Sequence, residues 1–167
     1  MKKTFAILGA ALSLSLFACS SSSSGPSLAE KCEKGVTENC LEGATWNMNA
    51  FYNSEDGVTF TVYHALSSPT SIVFNEDKTF NLTYSSDVAV NSDNACLGGE
   101  ENGNWSLNGS TLVMNFTFGC LLGSNGTTVS LTPAVLTLDG QTALNIGVNK
   151  IHTTGVPGYE IFTGVEK

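Results

Sequence analysis

The sequence predicts an all-β fold of about eight or nine antiparallel strands. Apolar and polar residues alternate along most of the chain from residue 46 onward, and this period of two places one face of each strand in a core. The 167 residues include 17 glycines, and the pairs Asn108-Gly109 and Asp139-Gly140 are signals for tight hairpin turns. About eight strands can close into a small up-and-down barrel. A β-sandwich would produce the same periodicity and is the alternative.

Residues 1–18 are predicted to be a signal peptide. Lys2 and Lys3 precede an apolar run over residues 5–17, which is the order of charge and apolar character in a secretory signal. The run is too short to span a bilayer as a mature helix. It ends in Leu16-Phe17-Ala18-Cys19, which resembles the lipobox of bacterial lipoproteins. The resemblance implies cleavage before Cys19 and lipidation of the Cys19 thiol.

Residues 19–40 are predicted to connect this lipid to the folded domain. Residues 20–27 are rich in serine, which is typical of a flexible tether, and a short segment of weak helical character follows from Leu28 to Leu41. Lipid on Cys19 predicts a membrane as partner and the bacterial cell envelope as location. Ser20 differs from the aspartate that serves as an inner-membrane retention signal in enteric bacteria. The expected location is therefore the outer membrane, periplasmic or surface-exposed.

Four cysteines remain once Cys19 carries lipid, an even number that predicts two disulfides in an oxidising compartment. Three connectivities are possible. With a hairpin turn centred on Asn108-Gly109, opposed residues have numbers that sum to about 217. Cys96 then lies almost opposite Cys120, so this register favours a Cys96–Cys120 bridge.

The remaining pair, Cys32 and Cys40, is expected to form the second disulfide. On an unbroken helix these residues would lie about 12 Å apart, which exceeds disulfide reach. Gly35 is therefore expected to interrupt the segment and bring them together. A metal site is not expected, because the chain has no Cys-x-x-Cys pair and neither histidine has a ligand neighbour at suitable spacing.

Period-two alternation predicts the individual strands in chain order. Trp46, Met48 and Tyr52 share one face of the first strand. Four further strands are predicted from the apolar sets Val58, Phe60 and Val62; Phe80, Leu82 and Tyr84; Leu112, Met114, Phe116 and Phe118; and Leu144, Ile146 and Val148. Short strands are predicted at residues 71–74, 128–131, 134–138 and 159–165. The pattern slips near Pro133, which indicates a bulge or a sheet edge.

Three segments resemble motifs of bacterial lipocalin-like domains. Residues 41–46 are similar to their Leu-x-Gly-x-Trp opening, and residues 72–80 are similar to their strand-turn-strand motif Phe-x-x-Asp-Gly-Thr-Phe. Residues 102–112 are similar to their hairpin motif Gly-x-Trp-x-Leu-x-Gly-x-x-Leu. The resemblance extends over roughly residues 41–148. It implies that residues 41–167 form a lipocalin-like barrel rather than a sandwich.

The first hypothesis for such a barrel is non-catalytic binding of a small apolar ligand in its interior. The candidate ligand-binding residues are Trp46, Phe60, Phe80, Tyr84, Leu112, Met114 and Phe116. In the alternative, the same side chains fill the barrel, as small barrels permit, and the role is structural. A further hypothesis is a protein-interaction module, such as a periplasmic lysozyme inhibitor or an envelope or adhesion component.

Charge and motif content exclude other classes of function. The formal net charge is −8 and the chain has no arginine, which argues against nucleic acid as a partner because phosphate binding depends on Lys and Arg. The sequence has no nucleophile elbow, zinc-protease motif, phosphate-binding loop or dinucleotide motif. We therefore predict a protein that is not an enzyme and that uses no cofactor or metal.

Overall fold

Two short helices precede the sheet in the computed structural model, which describes residues 25–87, 99–118, 127–149 and 158–167. They are α1 (Leu28–Lys31) and α2 (Glu38–Glu42). The Ser27 side chain accepts a hydrogen bond from the backbone N–H of Glu30, whose carboxylate accepts one from the Ser27 N–H in return. At the start of α2, the Thr37 side chain accepts a hydrogen bond from the backbone N–H of Cys40. These caps satisfy N–H groups that a helix start leaves without partners.

Gly35 separates the two helices, as its position predicted. Its φ is +88°, a left-handed conformation that glycine adopts without steric cost. The chain reversal brings the Cα atoms of Cys32 and Cys40 to 4.7 Å, and the two residues form a disulfide. Cys96 and Cys120 lie outside the described residues, so their bridge stays a prediction.

Nine strands follow the helices within the described ranges, and every pairing between them is antiparallel. The strands are β1 (Ala44–Asn53), β2 (Thr61–Phe74), β3 (Thr79–Thr83), β4 (Glu100–Asn108), β5 (Thr111–Phe118), β6 (Thr128–Leu131), β7 (Ala134–Leu138), β8 (Gln141–Asn149) and β9 (Gly158–Glu166). They form one sheet in the order β6-β5-β4-β3-β2-β1-β9-β8-β7. Buried side chains from most strands share one cluster, so the sheet is rolled around a common core. The all-β prediction is confirmed.

β6 and β7 together act as one strand that changes partners. β6 pairs with β5, β7 pairs with β8, and the antiparallel pairings around the sheet require β6 and β7 to run in the same direction. Thr132 and Pro133 alone separate them, and Pro133 has no N–H to donate to a ladder. The interruption falls where the sequence pattern slips. If β6 and β7 are counted as one, the sheet has eight strands.

The hydrogen-bonded wall is not closed, which corrects the prediction of a complete barrel. In the part of the chain that the structure describes, β6 pairs only with β5 and β7 only with β8. Each half of the interrupted strand therefore leaves one edge without a hydrogen-bonded neighbour. We call this gap in the hydrogen-bonded ladder the β6–β7 seam, and only the covalent chain crosses it. The reason is local, because a strand that switches partners at a proline cannot continue either ladder across it.

The β4–β5 hairpin turns one residue later than predicted. Trp105 pairs with Met114, whereas the expected register opposed it to Leu112. The two loop residues are Gly109 and Ser110. Gly109 has φ +62°, which fits a two-residue turn with glycine at its first position. The Asn-Gly signal correctly located the hairpin but misplaced its centre.

The rolled sheet has two unlike ends. Tight connections of residues 75–78, 109–110 and 139–140 join strands at one end, where α2 also packs against β1 and β2; we call this the capped end. At the opposite end, which we call the loop end, residues 54–60 connect β1 to β2, and β3, β5 and β8 end. The described chain enters the domain at the capped end.

Trp46 fills the sheet interior at the capped end. Its ring is fully buried, and its Nε1 donates a hydrogen bond to the Leu41 carbonyl at 2.9 Å. Leu28 of α1 packs against Gly164 of β9, where a Cβ would overlap the leucine side chain and lie 3.1 Å from the Trp46 ring. The helical lead-in is therefore part of the core.

Lys78 ties the β2–β3 turn to α2. Its Nζ lies 2.7 Å from Glu42 Oε1 and 3.0 Å from Glu38 Oε2. The hydrogen bond to Glu42 is the main cause that raises the pKa of Lys78. The same Nζ lies 4.4 Å from the centroid of the Trp105 ring, whose Nε1 donates to the Asn75 carbonyl at 3.2 Å. One cation thus joins a helix, a turn and an interior aromatic ring.

Candidate functional site

The inner face of the rolled sheet is the candidate functional site. Six of the seven residues proposed from the sequence as ligand-binding lie together in its main cluster: Trp46, Phe80, Tyr84, Leu112, Met114 and Phe116. All six are buried. Alternation along each strand placed them on one face, and the rolling of the sheet turned that face inward.

Aromatic rings pack closely in this interior. Phe74 and Trp105 meet edge to face with ring centroids 5.4 Å apart, and Phe80 and Phe116 do so at 4.9 Å. Each such pair contributes about 0.5–1.5 kcal/mol beyond the burial of its area. The capped half of the interior is consequently a filled core.

Gly103 provides the space for the Phe80–Phe116 pair. It pairs with Phe80 on β3 and with Phe116 on β5. A Cβ at Gly103 would overlap the Asn115 carbonyl oxygen and lie 2.9 Å from a Phe80 ring carbon. The close approach of backbone at this position therefore requires glycine.

Solvent exposure of the apolar interior side chains rises toward the loop end. Trp46 and Phe80 are 0% exposed, whereas Leu82 and Tyr84, at the loop end of β3, are each 9% exposed. Phe116 is intermediate at 6%. Among the described residues, the apolar interior thus approaches solvent from the loop end.

A buried polar pair lies in the interior near the loop end. Glu101 is 1% exposed, and its Oε2 accepts a hydrogen bond from the Tyr84 hydroxyl at 2.7 Å. Burial raises the pKa of Tyr84, and the hydrogen bond to Glu101 raises it further. Glu101 was missed from the sequence, although its alternation with Gly103 and Trp105 on β4 would have placed it on the inward face.

The described lysines lie at one end of the sheet, whereas described carboxylates lie at both ends. The four described lysines lie at the capped end: Lys31, Lys34, Lys78 and Lys167. The loop end carries Glu55, Asp56, Asp87, Glu100, Glu101 and Glu160. The charge of Glu160 is close enough to contribute to the raised pKa of Tyr84. The described part of the loop end is therefore strongly negative.

Phe60, the seventh proposed ligand-binding residue, lies outside the interior. It belongs to the β1–β2 connection, where its ring meets Tyr159 edge to face with centroids 5.3 Å apart. The alternation of Val58, Phe60 and Val62 predicted a half-buried strand, but Val58 is 78% exposed and Val62 59% exposed. Val58 and Phe60 belong to the connection and Val62 lies at the start of β2. The alternation of these three residues therefore does not define an inward face.

Phe60 packs against a second apolar cluster on the outer face of the sheet. Its buried members are Ala50, Tyr52, Ala143 and Ile161. Ala143 and Ile161 directly precede Leu144 and Phe162, which belong to the interior cluster. Because successive side chains of a strand point to opposite faces, Ala143 and Ile161 point outward. A register shift between Met48 and Ala50 reverses the alternation within β1, which corrects the prediction that Tyr52 shares a face with Trp46.

An open cavity of about 560 Å³ lies beside the β1–β2 connection. It is lined by Asn53, Ser54, Glu55, Asp56, Thr59 and Thr61. Asp56 Oδ1 accepts hydrogen bonds from the backbone N–H groups of Val58 and Thr59, at 2.8 and 2.7 Å. These bonds, the one from Thr59 first, hold the pKa of Asp56 well below its usual value. The carboxylate therefore organises the loop.

The predicted lipidation site and the second predicted disulfide cannot be compared with the structure. Cys19, Cys96 and Cys120 lie outside the described residues. Within the described ranges, no three or more His, Cys, Asp and Glu side chains are grouped so that they could hold a metal ion. Nor does any described helix have the length and apolar character needed to cross a membrane.

Comparison with known proteins supports the architecture. The sequence model of the lipocalin-like domain family matches residues 41–139, which contain β1 to β7 and most of the interior aromatic residues. The fold of this family is typically non-catalytic. Searches among curated proteins and among solved structures gave no match. Because the family model covers more than half of the chain and the structure is an all-β sheet rolled around one core, the chain belongs to the lipocalin-like domain family.

Proposed function

We propose that this protein is a lipid-anchored lipoprotein of the bacterial envelope whose lipocalin-like domain binds a small apolar ligand without catalysis. The domain family supports a small-ligand-binding or structural β-barrel. The rise in exposure from Trp46 and Phe80 to Leu82 and Tyr84 is the observation that favours binding. On this proposal the ligand binds at the loop end, above a filled core.

The position of the chain entry gives the proposed anchor an orientation. The Leu28 N–H donates to Glu166 Oε1 at 2.6 Å, which fixes the start of α1 beside the end of β9. A tether that runs from Cys19 to this point leaves the domain at the capped end. The loop end is then the end of the domain opposite the attachment point, where a ligand can reach it.

Metabolic labelling with palmitate tests the anchor. The wild-type chain should incorporate label and sediment with membranes, whereas C19A should do neither, because the thiol that receives the lipid is gone. S20A is the matched control and should behave as wild type. Label retained by C19A would contradict lipidation at this residue.

Native mass spectrometry of the delipidated protein from its own envelope tests ligand binding. A retained small molecule that dissociates at high collision energy is the expected result. A fluorescent apolar probe provides a second measurement, and it should be displaced when the natural ligand is added back. If no small molecule is retained and no probe binds, the filled interior has a structural role.

A further inference from the structure

The dipeptide Asn-Gly occurs in the chain at Asn102-Gly103, Asn108-Gly109 and Asn125-Gly126. The structure describes the first two pairs and holds them in unlike surroundings. Asn108 and Gly109 are exposed at the β4–β5 turn, where Gly109 has φ +62° and no described atom lies within 4 Å of an added Cβ. Asn102 and Gly103 lie within β4. The same local chemistry is therefore held in two different backbones.

We propose that Asn108 is a site of spontaneous deamidation through a cyclic imide formed with Gly109, and that the fold protects Asn102 from the same reaction. Asparagine is among the chemically labile residues. In the first step, the deprotonated backbone nitrogen of Gly109 attacks the side-chain carbonyl carbon of Asn108. A bond forms between Gly109 N and Asn108 Cγ, the bond from Cγ to Nδ2 breaks, and ammonia leaves with the proton lost from Gly109 N.

Water completes the reaction by opening the imide at either of its two carbonyl groups. Attack on the side-chain carbonyl gives aspartate, and attack on the main-chain carbonyl gives isoaspartate. Either product adds a negative charge to the capped end. In isoaspartate the main chain runs through the side-chain carbon, so the hairpin gains one backbone atom beside the pair of Asn108 with Thr111.

The turn leaves the reacting groups of Asn108 and Gly109 accessible. Within the described ranges, the Asn108 side chain makes no hydrogen bond and the Gly109 N–H donates to no carbonyl. Asn108 pairs with Thr111 at the end of the ladder, so the peptide bond that follows Asn108 belongs to the two-residue loop. Glycine has no Cβ to obstruct the attack. Ring closure at this position therefore needs no strand pairing to open.

The ladder protects the corresponding groups of Asn102 and Gly103. Gly103 is buried and pairs with Phe80 on β3 and with Phe116 on β5. Its backbone lies so close to Asn115 that an added Cβ would overlap the Asn115 carbonyl oxygen. Ring closure at Asn102 requires this peptide to turn out of the sheet, so the pairings on both sides must open first. Local opening of a core strand costs much of the free energy of unfolding, and deamidation of Asn102 in the folded protein should be slow.

Chymotryptic peptide mapping of the purified protein, incubated at mildly alkaline pH with its disulfides intact, tests the proposal. Cleavage after Trp105 separates Asn102 from Asn108, and mass spectrometry detects the exchange of the amide NH2 for OH. In the folded protein, Asn108 should be modified at least about tenfold faster than Asn102. In urea the ladder is absent, so the two rates should agree within about threefold.

Two matched variants identify the modified residue by a second measurement, enzymatic methylation of isoaspartate. N108S should abolish methyl labelling of the peptide that follows Trp105, whereas N102S should leave this labelling unchanged. Label retained in N108S, equal rates at Asn102 and Asn108 in the folded protein, or modification of Asn108 only in urea would each overturn the proposal. The wild-type comparison decides the matter even if one variant does not fold.

Discussion

Single residues determine how the interior is packed. Trp46 and Trp105 are both buried, and each indole N–H donates to a backbone carbonyl, of Leu41 and Asn75 respectively. A buried indole N–H without such an acceptor would carry a desolvation penalty. The sequence pattern correctly placed Trp46 on the buried face of β1. It could not identify the acceptors of the two indole N–H groups, because Asn75 lies 30 residues from Trp105 in the chain.

Replacement of Gly103 tests the close packing between β3 and β5. G103A should lower the free energy of unfolding by about 1–3 kcal/mol, because its Cβ would overlap the Asn115 carbonyl and crowd Phe80. Urea denaturation measures the change. G25A is the control and should differ by less than about 0.5 kcal/mol, since no atom lies within 4 Å of a Cβ there. Unchanged stability of G103A would contradict the described register.

The Asp56 loop predicts a pH-dependent contribution to stability. Hydrogen bonds from Thr59, Val58 and Ser54 lower the pKa of Asp56 in the folded state. The stabilisation is therefore fully present above the unfolded pKa of about 3.9, and it is lost as the pH falls toward the folded-state pKa. D56N should melt at a lower temperature than wild type at pH 7, and the difference should shrink below about pH 4. E55Q, at the exposed neighbour, is the control; a pH-independent effect of D56N would contradict this account.

At the scale of elements, the lead-in depends on contacts beyond its own backbone. α1 and α2 have four and five residues, and isolated helices of this length are not stable in water. The helix caps, the Cys32–Cys40 disulfide and packing against Trp46 stabilise these two short helices. The helical character and the break at Gly35 could be predicted from the sequence. The insertion of Leu28 into the core could not, because it requires β9 to lie beside β1.

Removal of the disulfide should loosen this lead-in. C32S/C40S should be less stable by about 2–3 kcal/mol, because the bridge closes a loop with a sequence separation of 8. Thermal unfolding under non-reducing conditions measures the loss. Both proteins carry C96S/C120S in this comparison, so that the second predicted bridge is absent. Addition of reductant should then lower the stability of the protein that keeps Cys32 and Cys40 and leave the one with C32S/C40S unchanged.

Peptide mapping without reduction tests the second predicted bridge. Cys96 precedes β4 and Cys120 follows β5, so the two residues flank one hairpin. We expect peptides that link Cys32 to Cys40 and Cys96 to Cys120. A link from Cys96 or Cys120 to either lead-in cysteine would contradict this connectivity.

At the scale of the whole molecule, the strand order joins nearly all elements into one core. β1 lies between β2 and β9, and the main cluster includes side chains from the helices and from both arms of the sheet. Tryptophan fluorescence and far-UV circular dichroism should therefore report one coincident unfolding transition in denaturant. Two separated transitions would show that the arms of the sheet unfold independently across the β6–β7 seam.

Local alternation by itself determined that the chain is all-β, which residues of β3 and β5 face inward, and where the Pro133 interruption falls. These features depend on the backbone period within each strand, so nearby residues suffice to predict them. Only the tertiary structure decided that Phe60 and Tyr52 pack outside, that the wall keeps an unpaired seam, and that Glu101 meets Tyr84. Those outcomes depend on register shifts and on which distant strands become neighbours, and a shift of one residue reverses the face of every side chain that follows.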